Sequence, residues 1–210
     1  MRTKFHGTHW LPAGVASLFI ISVAATRRHA ELALAERLET GMQLIYASNG
    51  QPSPPWIVDS VERPVRIGGR DGCARIRLRT APDRPAVLRE WCIRDRRLEA
   101  WSDSTMAFRV LRPVGPGIRL EMPGAGGGAI RYETTSPERD VVNGVELEVI
   151  PTTVLTIGAD SLPIRRLRER FSVALATATA GVFEMPDSAS PGGWRTMEEF
   201  RLVEIRRPGR

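Results

Sequence analysis

The sequence predicts a mainly β protein of the α+β kind: an antiparallel β-meander forming a curved sheet, sandwich or open barrel, with an N-terminal helix and one late helix. Three observations carry this reading. Segments such as Ala74-Arg-Ile-Arg-Leu-Arg79, Ile118-Arg-Leu-Glu-Met122 and Val145-Glu-Leu-Glu-Val149 alternate strictly between apolar and polar residues. A period of two lays one face of a strand on a core. Turn clusters (Gly68-Gly69, Asp71-Gly72, Gly115-Pro116, Asn143-Gly144, Pro191-Gly192-Gly193) recur between them, as hairpin connections do. Two other segments instead carry apolar residues at helical spacing.

The chain begins with Arg2 and Lys4 ahead of an apolar run from Leu11 to Ala25 that ends in small residues. A positive start, a short apolar stretch and a small-residue cleavage site are the parts of a secretory signal peptide, with cleavage after Ala24 or Ala25. No cysteine stands directly after the apolar run, so a lipoprotein anchor is not expected. The run falls short of the ~20 residues that span a bilayer. Trp10 at its edge, however, supports the alternative of a retained membrane anchor through residues 11–25. The domain reading is a leader over 1–25, a helical stalk over 26–41 and one β-rich domain over 42–210. The protein is expected outside the cytoplasm, in the periplasm of a bacterial envelope, or anchored in the inner membrane with its body outside.

From Thr26 to Thr40, Ala30, Leu32, Leu34, Ala35 and Leu38 recur among glutamates, and Gly41 offers a C-terminal stop. This predicts the first helix. Asn49-Gly50 and the proline-rich residues to Pro55 predict a turn and an extended linker. Over Pro85 to Trp101, Arg94-Asp95 breaks any helical stripe, so two strands joined at Arg94-Asp95-Arg96 are expected. From Ser161 to Gly181, Ile164, Leu167, Phe171, Leu175 and Ala178 recur three and four apart, with Pro163 near the start. This predicts the late helix. Phe200 and Leu202 return to a period of two.

An exported chain with two cysteines is expected to bridge them. A hairpin pairing residues 73–80 with 86–92, centred between Pro82 and Asp83, sets Cys73 opposite Cys92 and Arg75 opposite Glu90. It also sets Ala74 opposite Trp91 and Leu78 opposite Val87, and only Ile76 against Arg89 fits poorly.

Composition excludes more chemistry than it suggests. The histidines are His6, His9 and His29, and Lys4 is the only lysine, so the body supplies no core imidazole or amine. Ser-His-Asp and Cys-His catalysis, histidine metal sites, Schiff bases and a P-loop all lack a required residue. No metal and no cofactor are expected. Gly124-Ala-Gly-Gly-Gly-Ala129 matches a dinucleotide fingerprint only formally. Pro123 precedes it and a strand-like Ala129-Ile-Arg-Tyr132 follows, so it reads as a hairpin tip. Carboxylates remain for a hydrolase, namely Asp95, Glu99, Asp103, Glu121, Glu146 and Glu148, although the alternation of the last two with Val145, Leu147 and Val149 puts them on a solvent face. The charge of +6 falls to +4 without the leader, and every body cation is an arginine. Such usage argues for a mixed-charge surface and against nucleic acid. Arg165, Arg166, Arg168 and Arg170 are the candidate patch for an anionic partner. Trp91, Trp101 and Trp194 read as core or strand-pair residues.

The expectation is therefore an exported, non-enzymatic protein that binds an apolar or lipid-like ligand. The alternatives are an anchored interaction subunit of an envelope assembly, contacting another envelope protein, and a carboxylate-dependent hydrolase.

Overall fold

The computed structural model describes residues 33–189 and 192–209, where the chain forms 14 strands in one antiparallel sheet system. Short loops join β1 (Gln43–Ser48), β2 (Gln51–Pro52), β3 (Trp56–Ile67), β4 (Arg70–Arg79), β5 (Val87–Arg94), β6 (Arg97–Ser102) and β7 (Ala107–Pro113). The chain continues through β8 (Arg119–Pro123), β9 (Ala129–Thr134), β10 (Glu138–Val142), β11 (Val145–Ile157), β12 (Pro163–Ser172), β13 (Thr177–Pro186) and β14 (Trp194–Arg206). Hydrogen bonding orders them β7-β6-β5-β4-β3-β1-β14-β13-β12-β11-β9-β8, with β10 on β11 and β2 on β1. The first strand of the meander thus pairs with the last, and the sheet curls into a nearly closed barrel whose seam lies between β7 and β8.

Turn chemistry sets the registers. Asn49-Gly50, Gly68-Gly69, Asp95-Arg96 and Asn143-Gly144 each hold two consecutive residues at positive φ, the geometry of two-residue hairpins that follow the strand twist. Residues 87–102 are two strands with the turn at Asp95-Arg96, as the sequence predicts. β4 and β5 pair in the predicted register, with Ala74 opposite Trp91, Arg75 opposite Glu90, Ile76 opposite Arg89 and Leu78 opposite Val87. Cys73 and Cys92 are disulfide-bonded. The bridge lies on the outer face of the sheet, buried with Ile67 beneath Val65, Trp101 and Phe108.

Both helices of the sequence reading are corrected. Residues 161–181 form most of the β12–β13 hairpin. The spacing that imitates a helix also contains a period of two, with Leu167, Glu169 and Phe171 on one face and Arg166, Arg168 and Arg170 on the other. Cross-strand ion pairs reward the second pattern, and β-branched Thr177 and Thr179 favour it. Of Thr26 to Thr40, residues 26–32 lie outside the described residues, as does the leader, and residues 33–40 run as turns. Ala35 takes φ 59°, its N–H donates to the Val173 carbonyl, and Arg37 N–H donates to Ala174. Leu34, Leu38 and Met42 are buried there and close one end of the barrel over the β12–β13 turn. Tertiary packing of these apolar residues overrides local helix propensity.

Candidate functional site

Burial along the inward face changes steadily from one end of the barrel to the other. On β11, Ile150 and Thr152 are buried, whereas Val154 and Thr156 are partly exposed. On β9, Thr134 is buried while Tyr132 and Ile130 are not. The same order holds from Phe171 to Leu167 on β12 and from Leu202 to Phe200 on β14. One end is filled by Leu38, Met42, Val114, Val173 and Leu175. The opposite end keeps apolar, inward-facing side chains in partial contact with solvent.

Aromatic rings gather at that open end. Tyr46 on β1 stands 5.0 Å from Trp56 on β3 and 6.4 Å from Phe200 on β14, and Phe183 on β13 lies 6.0 Å from Phe200. These centroid separations suit tilted aromatic packing. Gly181 on β13 makes room for the group, since a Cβ there would fall 2.4 Å from Phe200 Cε1. The Tyr46 hydroxyl donates to the Ala178 carbonyl at 2.9 Å and can accept from Thr177 Oγ1 at 3.0 Å. Burial pushes the phenol pKa up to about 12, partly offset by the Thr177 hydrogen bond and the nearby Arg89 charge.

Two cations stand at this end, the half-buried Arg89 on β5 and the exposed Arg165 on β12, which lies 5.8 Å from the Phe183 ring. The Arg89 guanidinium lies 5.0 Å from the Trp91 ring centroid and 5.8 Å from that of Trp56, within cation–π range. Burial lowers its pKa from the usual arginine value, with the Tyr46 phenolate charge acting in the opposite sense. Among the described residues it has no carboxylate partner and no hydrogen bond. Deeper in the barrel, Arg112 on β7 pairs with Glu169 on β12 at 2.8 Å and donates to Thr152 Oγ1 at 3.3 Å. It also lies 4.0 Å over the Phe171 ring.

The structure divides the arginine patch singled out from sequence: Arg165 faces the open end, and Arg166, Arg168 and Arg170 face outward. Arg166 and Arg168 both donate to Glu184, which is buried and whose carboxyl pKa is lowered chiefly by the Arg166 hydrogen bond. Arg170 meets Glu138 at 3.1 Å. Two shallow grooves on this outer face, of about 660 and 370 Å³, run past Arg166 and Arg168 respectively. Trp194 stacks on Arg166 beside the larger one, and Trp101 covers the disulfide.

The candidate carboxylates are spread over the outer surface. Glu99 pairs with Arg70, Glu121 with Arg131 and Asp95 with Arg94, while Asp103 accepts from Trp101 Nε1. Glu146 and Glu148 are exposed on β11. Among the described residues, no group of three or more His, Cys, Asp and Glu side chains could hold a metal ion. No helix among them is long and apolar enough to cross a membrane.

Sequence reasoning missed Tyr46, Trp56, Phe183, Phe200, Arg89 and the Arg112–Glu169 pair. One signal was present. Arg89 opposite Ile76 is the one poor pairing in an otherwise matched register, and a local inconsistency of that kind marks a position kept for something other than packing. No protein-family model matches the chain, and neither a curated protein nor a solved structure matches it.

Proposed function

We propose that this chain is a non-enzymatic, exported binding or carrier domain that holds an apolar, lipid-like ligand in the open end of its barrel. The observation that carries the reading is the half-exposed inward face of Trp56, Phe183 and Phe200, floored by the buried Tyr46 and set above an end filled with buried aliphatic side chains. A concave apolar surface with a few polar groups is what small-molecule sites share. The disulfide is consistent with an oxidising compartment, and so supports the exported part of the proposal.

Two of these aromatic walls are tested by titrating the protein with dodecanol and dodecanoate while following tryptophan emission. Saturable binding is expected, weakened at least about tenfold in Trp56→Ala and Phe200→Ala, because each removes an aromatic side chain of roughly 2 kcal/mol in burial. Absence of saturable binding by either amphiphile, or binding indifferent to both substitutions, would overturn the proposal.

A further inference from the structure

We infer that the ligand of the open end carries a single negative charge, a carboxylate on an apolar body, and that Arg89 is the residue that binds it. This rests on the barrel-binding reading and names the ligand class within it.

The argument begins with how this protein treats its arginines. Among the described residues, every other arginine of comparable burial meets an oxygen, from Arg70 on Glu99 and Arg79 on Asp59 to Arg112 on Glu169 and Arg63 on the Glu36 carbonyl. Arg89 alone among them is half-buried with no oxygen partner, although its five N–H donors need acceptors once water is displaced. Leaving such a charge unpaired costs stability. The neighbouring carboxylates are committed elsewhere. Glu90, next in sequence, points to the opposite face and binds Arg75 at 2.8 Å. Glu198, opposite Phe183 on β14, accepts from Ser48 Oγ at 2.8 Å.

The surroundings narrow the chemistry. The rings of Trp91 and Trp56 both lie within cation–π range of the guanidinium, limit its movement and shield it from bulk water. A planar, bidentate carboxylate matches the planar donor fork. Arg165, the other cation at this end, is exposed to solvent, so the single half-buried charge is that of Arg89, which favours a monoanion over a phosphate monoester near two charges. Tyr46 is not a competing anion, since its phenol holds its proton up to about pH 12.

The experiment compares dodecanoate, its methyl ester and acetate on the full chain at neutral pH. Dodecanoate is expected to bind about tenfold to a hundredfold tighter than the ester, the worth of a charge-assisted hydrogen-bond pair, and acetate far more weakly than either. In Arg89→Gln the acid and ester should bind alike, while Arg89→Lys should keep part of the preference. Equal binding of acid and ester to the unsubstituted protein overturns the inference and leaves the barrel-binding reading standing, and this arm needs no variant to fold. Acetate binding as tightly as dodecanoate, or failure of both long-chain ligands, overturns the apolar-ligand reading itself.

Discussion

Arg112 on β7, an edge strand of the seam, and Glu169 on β12 meet at 2.8 Å inside the barrel. β7 is the last strand on one side of the sheet and β8 the last on the other, and this ion pair ties the edge strand β7 to β12 through the barrel interior. Both side chains are nearly buried, at 12% and 9% exposed. The Thr152 hydroxyl and the Phe171 ring complete the surroundings of the guanidinium.

A buried pair of this kind is asymmetric in its energetics. Removing one partner strands the other charge in a poorly solvated interior, which costs about 3–5 kcal/mol, whereas replacing both with apolar residues is often neutral. Arg112→Met should therefore destabilise the protein by about 3 kcal/mol or more in urea unfolding. Arg112→Met combined with Glu169→Leu should be more stable than Arg112→Met alone. A double variant no more stable than that single variant would show that the pair itself, and not the stranded Glu169, carries the cost.

The Cys73–Cys92 bridge joins two strands already paired in register, so its stabilisation comes mainly from the unfolded chain. With the cysteines 19 residues apart, loop-closure entropy gives about 3 kcal/mol. Cys73→Ala/Cys92→Ala should lose about that much in urea unfolding, with a larger m value because the uncrosslinked chain unfolds to a more expanded state. Loss of stability without any rise in m would instead place the effect in the buried cluster with Ile67, Trp101 and Phe108.

What the sequence made legible follows from the range over which each signal acts. The β4–β5 hairpin could be read in full because its pairs lie close in sequence and its alternation is strict. The type of β12 and β13 could not, because Ile164, Leu167, Phe171 and Leu175 satisfy a helical period by coincidence. The term that decides against the helix, Arg166 and Arg168 meeting Glu184, appears only once β13 lies beside β12. The turns at residues 33–40 are legible only from the barrel end they close. The open-end group was hidden for the same reason. Tyr46, Trp56, Arg89, Phe183 and Phe200 come from five strands, and no strand contains more than one of them. Even so, Arg89 left a local trace as the mismatch opposite Ile76.

Tyr46 makes the open end sensitive to alkaline pH. Its phenol pKa rises to about 12 in the folded protein, against about 10 in an unfolded chain. Between these values the unfolded state binds fewer protons than the native state, so stability falls as pH rises. The contribution is complete below about pH 10 and is lost as pH climbs towards 12, at no more than about 1.4 kcal/mol per pH unit. Tyr46→Phe lacks this dependence and forfeits the hydrogen bonds to Thr177 and Ala178, costing about 1–2 kcal/mol at neutral pH. The stability gap between the two proteins should narrow from pH 9 to pH 11 in parallel urea titrations. A constant gap would mean that the phenol ionises alike in the folded and unfolded states.

Gly181 links the fold to the proposed site. It lies opposite Phe200 in the β13–β14 ladder, where a Cβ would fall 2.4 Å from Cε1 and 2.5 Å from Cζ of that ring. The ring cannot yield freely, because Phe183 and Tyr46 pack against it at 6.0 and 6.4 Å. Gly181→Ala should then cost about 1–3 kcal/mol, the range of an overpacked position, and should displace Phe200 from the aromatic wall. Phe200→Ala removes the obstruction, so adding Gly181→Ala to it should cost much less than adding it to the unsubstituted protein. A double-mutant cycle by urea unfolding measures that coupling, and dodecanoate titration of the same four proteins tests whether it reaches the proposed site. Additive stabilities would mean that the clash is relieved by backbone movement of β13, and binding would then be lost in Gly181→Ala without Phe200 as its intermediary.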